Sequence, residues 1–196
     1  IVLTTRELTK MIKYVGLDFE NLNSSDFDSP LGIGSGAGAI FGASGGVMEA
    51  ALRTVYETVT KKELDKLEFE DVRGFRGIKE ATVDLDGLEV KVAIAHGLTN
   101  AEALVSEVEA GNSPYTFIEI MGCPGGCIGG GGQPTTNNIR KIRIDALYSL
   151  DKSLPIRKSH ENPEIITLYD KYLGKPLGHK AHELLHTSYI DRSSFI

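Results

Sequence analysis

Apolar residues recur at helical spacing in six segments of the chain, and each segment has a start or stop signal beside it. A helix presents every third or fourth residue on one face, so this spacing predicts helices that pack on a core. Ser44 and Asn100 are the expected N-caps of the second and third helices. The predicted helices cover about residues 5–15, 47–60, 100–110, 137–150, 163–173 and 179–189.

Three other segments alternate between apolar and polar residues or run continuously apolar, as strands do. They cover about residues 81–85, 88–95 and 115–121. Asp86-Gly87 stands between the first two, and this dipeptide favours the two-residue turn of a hairpin. At least one antiparallel strand pair is therefore expected. Strands that alternate with helices predict the α/β class, with a sheet flanked by helices.

Glycine is unevenly distributed. The 22 glycines concentrate in residues 32–46 and 122–132, where the backbone must turn sharply or approach another group closely. The first of these stretches leads into the predicted helix 47–60. Because free N–H groups and the helix dipole meet at a helix N-terminus, we expect an anion to be favoured there.

Composition narrows the possible partners and compartments. The net charge of -6 does not suit a nucleic-acid partner, which requires a basic face. The long uncharged stretches are too rich in glycine and polar residues for a membrane span. Ile1-Val2-Leu3 is followed at once by polar residues, so no signal peptide is predicted and a cytoplasmic location is expected. A chain that begins at Ile1 is also expected to be part of a longer protein.

The chemistry of the chain lies in its two cysteines, Cys123 and Cys127. Two cysteines are too few for a disulfide scaffold, but thiolates four residues apart on a glycine-rich loop can both face one metal centre. Pro124 restricts the backbone directly after the first cysteine. Spacing alone does not separate a metal-binding pair from an inert pair.

The residues around the cysteines resemble the iron-only ([FeFe]) hydrogenase family. Residues 121–134 read Met-Gly-Cys-Pro-Gly-Gly-Cys-Ile-Gly-Gly-Gly-Gly-Gln-Pro, similar to the last cluster-binding signature of that family, although Gly122 stands where alanine is common. Residues 41–53 read Phe-Gly-Ala-Ser-Gly-Gly-Val-Met-Glu-Ala-Ala-Leu-Arg and resemble a second family segment. Further likeness is found at residues 2–8, 77–81 and 182–187.

The resemblance implies a cofactor and a role for each site residue. In the family, a [4Fe–4S] cubane is joined through a cysteine sulfur to a diiron centre that carries carbon monoxide, cyanide and a bridging dithiolate. Cys123 would be a terminal cubane ligand, and Cys127 would bridge the two parts. Met121, Phe41 and Gly42 would line the diiron pocket. No residue is assigned as a catalytic acid or base.

The resemblance also implies that residues 1–196 are the C-terminal part of the catalytic domain, one lobe of a two-lobed α/β structure. The family's other two cysteine signatures are absent from this sequence. Two cubane ligands would therefore come from the N-terminal remainder of the domain, and the fragment alone is expected to be inactive. The implied partners are ferredoxin or an NAD(P)-linked diaphorase subunit, together with maturation proteins.

Other interpretations of the sequence remain. His182-Glu183-Leu184-Leu185-His186 matches the zinc-protease pattern, but only Asp191 follows as a candidate third protein ligand, so a polar helix face is favoured. A hydrogenase-like protein of iron–sulfur assembly would share the fold without the diiron centre, and a sensory hydrogenase-like protein is a further alternative.

Overall fold

The structure of the chain is a computed structural model that describes residues 1–29, 31–134 and 138–191. Its helices are α1 (Thr5–Tyr14), α2 (Gly36–Ala39), α3 (Gly46–Thr60), α4 (Leu98–Glu109), α5 (Ile139–Ser153), α6 (Pro163–Leu168) and α7 (His179–Leu185), and its strands are β1 (Ile78–Asp84), β2 (Glu89–His96) and β3 (Phe117–Met121). The α/β class is confirmed. The predicted helix 137–150 corresponds to α5, and its predicted first residue, Asn137, lies outside the described residues.

The strands form a mixed sheet in the order β1-β2-β3. β1 and β2 pair antiparallel, which confirms the predicted hairpin, and β2 and β3 pair parallel. Asp86 and Gly87 both have positive φ, 60° and 94°, as a two-residue type I′ turn requires. Because β2 and β3 are parallel, their carboxyl ends lie side by side, with His96 opposite Met121.

Helices cover both faces of the sheet, because alternate residues of a strand point to opposite sides. On one face, Val92 and Ile94 of β2 pack with Met48 and Leu52 of α3. On the other face, Ala93 and Ala95 pack with Leu104 of α4. β2 is therefore buried on both sides, as its nearly continuous apolar run predicts.

A third apolar cluster lies away from the sheet and joins three parts of the chain. Ile40 and Ala43, from the first glycine-rich stretch, pack with Ile128 from the cysteine loop and with Ile144 and Tyr148 of α5. Burying a large apolar side chain stabilises the folded state by about 1.5–3 kcal/mol. The cluster therefore places α5 beneath both glycine-rich stretches.

Two expected helix caps are wrong. Ser44 does not cap α3; the N-cap is Gly45 at φ 94°, and the Ser44 hydroxyl is buried with no hydrogen-bond partner in the described part of the chain. Asn100 does not cap α4, which begins two residues earlier, after Gly97. The Asn100 amide instead donates to the carbonyl oxygen of His96 at 2.8 Å.

The C-terminal helices also differ from the expectation. The predicted helix 163–173 is α6, capped by the Asn162 side chain, followed by a π-helical turn over Tyr169–Leu173. The last helix ends at Leu185, before the predicted end near Tyr189. Among the described residues, no helix has both the length and the apolar character that a membrane crossing requires.

Candidate metal centre

The two cysteines lie on the loop that leaves the carboxyl edge of the sheet. β3 ends at Met121, whose carbonyl oxygen accepts a hydrogen bond from the Gly97 amide at 2.8 Å, so the ends of β2 and β3 are held together. Cys123 follows two residues later and is partly buried, whereas Cys127 is exposed. Both are free thiols. The carboxyl edge of a parallel strand pair is a common place for ligand sites in α/β folds.

The backbone reverses between the two cysteines. The Gly126 amide donates to the Cys123 carbonyl oxygen at 3.0 Å, and a 3-10 turn then runs from Cys127 to Gly129. Gly125 and Gly126 have φ of 83° and 97°, a region that residues other than glycine seldom occupy. The glycines at these two positions are therefore required by the turn itself.

The two glycine-rich stretches touch each other through their backbones. The Ser44 amide donates to the Gly125 carbonyl oxygen at 3.0 Å. A Cβ atom on Gly126 would lie 2.7 Å from the Ser44 nitrogen and 2.8 Å from the Gly42 carbonyl oxygen. The stretch 42–44 therefore forms a wall against which the chain before Cys127 is packed.

The predicted lining residues lie near this loop to different extents. Gly42 belongs to the contact just described, and a Cβ atom there would lie 2.9 Å from Leu147 and 3.6 Å from Ile128. Phe41 precedes it with a side chain that is 45% exposed. Met121 is partly buried at the end of β3. Their roles toward a diiron centre stay predictions.

The residues of the cysteine loop suit one half of the ligand set of an iron–sulfur cluster. A Cβ atom at Gly130 would lie 3.9 Å from the Cys123 sulfur, so glycine keeps that side of the thiol clear. Two thiols supply half of the four ligands that a cubane needs. The amides of Gly126, Gly129 and Gly130 donate within the loop. These three amides are therefore already paired within the loop.

An anion does occupy the N-terminus of α3, and it belongs to the protein. The Glu119 carboxylate, from the middle of β3, accepts hydrogen bonds from the Gly45 amide at 2.6 Å and the Met48 amide at 2.7 Å. Glu119 is only 5% exposed. Sequence reasoning missed it, although one acidic residue inside the apolar run 117–121 was a signal.

Lys79 lies beside the same segment. Its ammonium donates to the carbonyl oxygens of Ser44 at 2.9 Å and Gly74 at 3.2 Å, and the residue is buried. Burial lowers the pKa of Lys79 to about 8, and the negative charge of Glu119 opposes that change. The start of α3 is therefore held by buried groups of opposite charge.

Among the described residues, the zinc-protease pattern has no third side chain close enough to share a metal ion with its histidines. α7 ends at Leu185, so His186 lies outside the helix, although its ring centroid is 4.3 Å from that of His182. Within the described residues, the His, Cys, Asp and Glu side chains close enough to share an ion are Glu57, His160 and Glu161.

The cluster of Glu57, His160 and Glu161 already contains a cation, the Lys158 ammonium. The Lys158 ammonium lies 2.6 Å from Glu57 and 3.0 Å from Glu161. Its charge balances the carboxylates, and a metal ion would have to displace it. Burial opposes ionisation of Glu57, but hydrogen bonds from Lys158, the Leu64 amide and His160 lower its pKa to about 2.

Comparisons with known proteins agree on one family. A family profile described as "Iron only hydrogenase large subunit, C-terminal domain" matches residues 1–131, and another described as "Iron hydrogenase small subunit" matches residues 137–192. The chain is 52% identical to the NADP-reducing hydrogenase subunit HndD of Solidesulfovibrio fructosivorans, covering 98% of this chain and 33% of that protein. It is 45% identical to iron hydrogenase 1 of Clostridium pasteurianum, covering 96% of this chain and 34% of that protein.

A solved structure gives the same answer for the fold. A variant of [FeFe]-hydrogenase HydA1 from Chlamydomonas reinhardtii superposes with a TM-score of 0.74 at 45% identity, covering 96% of this chain and 55% of that one. More distantly, protein NAR1 of Arabidopsis thaliana is 33% identical over 96% of this chain and 41% of that protein. The chain thus spans about a third of the length of the two hydrogenase relatives.

Proposed function

The chain belongs to the iron-only hydrogenase family, and from this premise we propose that it supplies half of the cysteine ligands of the active-site cluster of such an enzyme. The whole enzyme would catalyse the reversible oxidation of H2 to two protons and two electrons. The observation that carries the proposal is the Cys123–Cys127 loop, packed backbone to backbone against the first glycine-rich stretch, residues 32–46, at the carboxyl edge of the sheet.

Each cysteine would have a distinct role. Cys127 would bridge a [4Fe–4S] cubane and a diiron subcluster with carbon monoxide, cyanide and a dithiolate, while Cys123 would be a terminal cubane ligand. A bridging sulfur needs access from more than one side. The greater exposure of Cys127, compared with the partly buried Cys123, supports this assignment.

The remaining residues would shape the surroundings of the cluster. When bound, the diiron group supplies the redox chemistry and the site at which H2 is split. Phe41 and Met121 would provide apolar walls that limit water, and Gly42 would leave room for close approach. We assign no catalytic acid or base among these residues, because the cofactor rather than a side chain of this lobe would carry the reaction.

Residues 1–196 would form one lobe of a two-lobed catalytic domain. The other lobe would supply the remaining two cubane cysteines. α1 agrees with such a partner: none of its residues is buried, and Leu8 and Met11 are about half exposed, at 48% and 51%. An amphipathic helix with an uncovered apolar side is typical of a surface that packs on more protein.

Electron partners follow from the relatives by similarity. One relative is named as an NADP-reducing hydrogenase subunit, so we propose a nicotinamide-linked diaphorase subunit or ferredoxin as the electron partner. Dedicated maturation proteins would install the diiron group. We also propose a cytoplasmic location, although another relative, from Nitratidesulfovibrio vulgaris, is named as periplasmic.

Hydrogen evolution tests this function. The full-length protein, matured with its cluster and given a reduced electron donor, should evolve H2, and Cys127→Ala should abolish that activity. Residues 1–196 alone, supplied with iron and sulfide, should evolve none, because two thiolates cannot complete the cubane. Full activity of residues 1–196 alone would contradict the division into lobes.

A second candidate function is iron–sulfur protein assembly without hydrogen chemistry. Similarity to NAR1 over 96% of this chain favours it, but the identity is 33%, against 52% and 45% for the two hydrogenase relatives. An assembly protein should bind a cubane and show no carbonyl or cyanide bound to metal.

A further inference from the structure

We propose that Glu119 is a positioning residue for the cysteine pair: it holds the stretch 42–46, and through that stretch it fixes the backbone that leads into Cys127. This inference rests on the proposed function, because it concerns the same cysteine site. It goes beyond that function by assigning a task to a buried carboxylate that is not itself a ligand.

Glu119 is in an unusual place for a carboxylate. It lies in β3 directly opposite Ile94 of β2, on the face that packs against α3, and it is 5% exposed. Burying an ionised carboxylate is costly unless its oxygens are satisfied. Both oxygens are: one accepts from Gly45 and the other from Met48, at 2.6 and 2.7 Å. Bonds of this kind are charge-assisted, and the positive end of the helix dipole adds to them.

The segment that Glu119 holds has little freedom to adjust. Gly45 has a φ of 94°, and a Cβ atom on it would overlap the Val72 carbonyl oxygen. A Cβ atom on Gly46 would overlap the Ile40 carbonyl oxygen in the same way. Because other backbone atoms pack closely around Gly45 and Gly46, these residues have no room to adjust separately. We therefore expect them to shift together when Glu119 shifts.

The stretch 42–46 is in direct backbone contact with the cysteine loop, so the position of one fixes the position of the other. Gly45 follows Ser44, and the Ser44 amide donates to the Gly125 carbonyl oxygen. Gly126 is in backbone contact with Gly42 and Ser44, and Cys127 is the next residue. A shift of the α3 N-terminus would therefore displace the turn between the two thiols.

Lys79, on the other edge strand but on the same face of the sheet, completes the arrangement. In the strand register, Lys79 lies opposite Ile94, which lies opposite Glu119, so the three residues form one row across β1, β2 and β3. Lys79 binds the Ser44 carbonyl oxygen, while Glu119 binds the next amide, that of Gly45. The two buried charges therefore bind the carbonyl oxygen and the N–H of the same peptide group, between Ser44 and Gly45.

A merely structural cap for α3 would stabilise the helix without affecting the thiols, and the experiment separates these roles. Glu119→Gln keeps the shape but removes the charge and one acceptor oxygen. The matched control is Val83→Ala, which weakens the apolar cluster that β1 shares with α3 but lies outside the stretch 42–46. Both variants are made in the full-length protein, and their losses of stability are compared by hydrogen exchange of α3.

The first readout is the alkylation rate of Cys123 and Cys127 by iodoacetamide in metal-free protein, mapped by mass spectrometry. We expect Glu119→Gln to accelerate alkylation of the partly buried Cys123 about tenfold, which corresponds to about 1.4 kcal/mol of lost protection. Lys79→Met should change the rate in the same direction, and Val83→Ala should leave it unchanged. Equal rates in Glu119→Gln and Val83→Ala would overturn the proposal.

The second readout is the infrared spectrum of the matured protein. Displacement of the cysteine loop should shift or broaden the bands of metal-bound ligands in Glu119→Gln relative to Val83→Ala. If Glu119→Gln does not fold, Lys79→Met takes its place in both assays and must differ from Val83→Ala. The alkylation assay needs no cluster, so failure of the proposed hydrogenase function would leave that comparison valid.

Discussion

Arg53 and Asp151 form a fully buried, bidentate ion pair, in which Nη1 and Nη2 of the guanidinium each donate to a carboxylate oxygen at 2.8 Å. The pair joins α3 to the end of α5. Glu49 contacts Arg53 at 2.8 Å, and Arg157 contacts Asp151 at 2.7 Å, so each buried charge has more than one partner. Because α5 also packs against Gly42 and the cysteine loop, this network fixes the support beneath the candidate metal centre.

Breaking this pair should be costly. Asp151→Asn removes one of the two buried carboxylates that contact Arg53 and also the carboxylate that Arg157 contacts, and we expect unfolding to lose about 3–5 kcal/mol of free energy. The measurement is the free energy of opening of the α3 and α5 amides by hydrogen exchange. Lys62→Gln is the control, since the Lys62–Asp86 pair is exposed, so solvent screens it and its loss should change the stability little. If Asp151→Asn and Lys62→Gln lowered the free energy of opening by similar amounts, the Arg53–Asp151 network would not be important for stability.

Gly126 should be needed for cluster binding in a way that Gly131 is not. At φ 97°, alanine in place of Gly126 would be strained, and its Cβ atom would press on the Ser44 nitrogen and the Gly42 oxygen. Within the part of the chain that the structure describes, no atom outside Gly131 and its two chain neighbours lies within 4 Å of the position that a Cβ atom on Gly131 would take. Iron and sulfide analysis of the matured full-length protein should show a marked loss for Gly126→Ala and a normal content for Gly131→Ala. Equal contents would show that the backbone contact is dispensable.

Lys79 should give the fold a distinctive pH dependence. Burial lowers its pKa to about 8, against 10.5 for an ordinary lysine. Between these values the folded chain holds fewer protons than the unfolded chain, so this group makes stability rise as the pH increases. The measurement is the urea midpoint of metal-free protein from pH 7 to 10, compared between the parent protein and Lys79→Met. As the pH rises, the urea midpoint of the parent protein should increase relative to that of Lys79→Met. A decrease of the parent midpoint relative to the variant would contradict the burial of a charged Lys79.

The sequence predicted the elements of this fold better than their contacts. The hairpin at Asp86-Gly87 and the helix after Gly46 follow from local patterns, and both are present. The contact between Ser44 and Gly125 could not be predicted in the same way, because it joins backbone atoms that leave no side-chain periodicity. The cysteine motif identified the loop, but only the folded chain shows what supports it.

The wrong caps have a common physical reason. Ser44 and Asn100 have the right chemistry for an N-cap, but at each helix start a different hydrogen bond forms, which a preference for capping residues does not take into account. At α3 the carboxylate of Glu119, distant in sequence, accepts from the Gly45 and Met48 amides, and the helix begins after Gly45 instead of after Ser44. At α4 the Asn100 amide binds the His96 carbonyl oxygen at the end of β2 instead.

The most direct test of the central claim is infrared spectroscopy of the matured full-length protein. If Cys123 and Cys127 hold a cubane joined to a diiron centre, the spectrum should contain bands of metal-bound carbon monoxide and cyanide. Those bands should disappear in Cys127→Ala, whereas Gly131→Ala should retain them. A protein loaded with iron and sulfide that lacks the bands, or a Cys127→Ala variant that keeps them, would contradict the account.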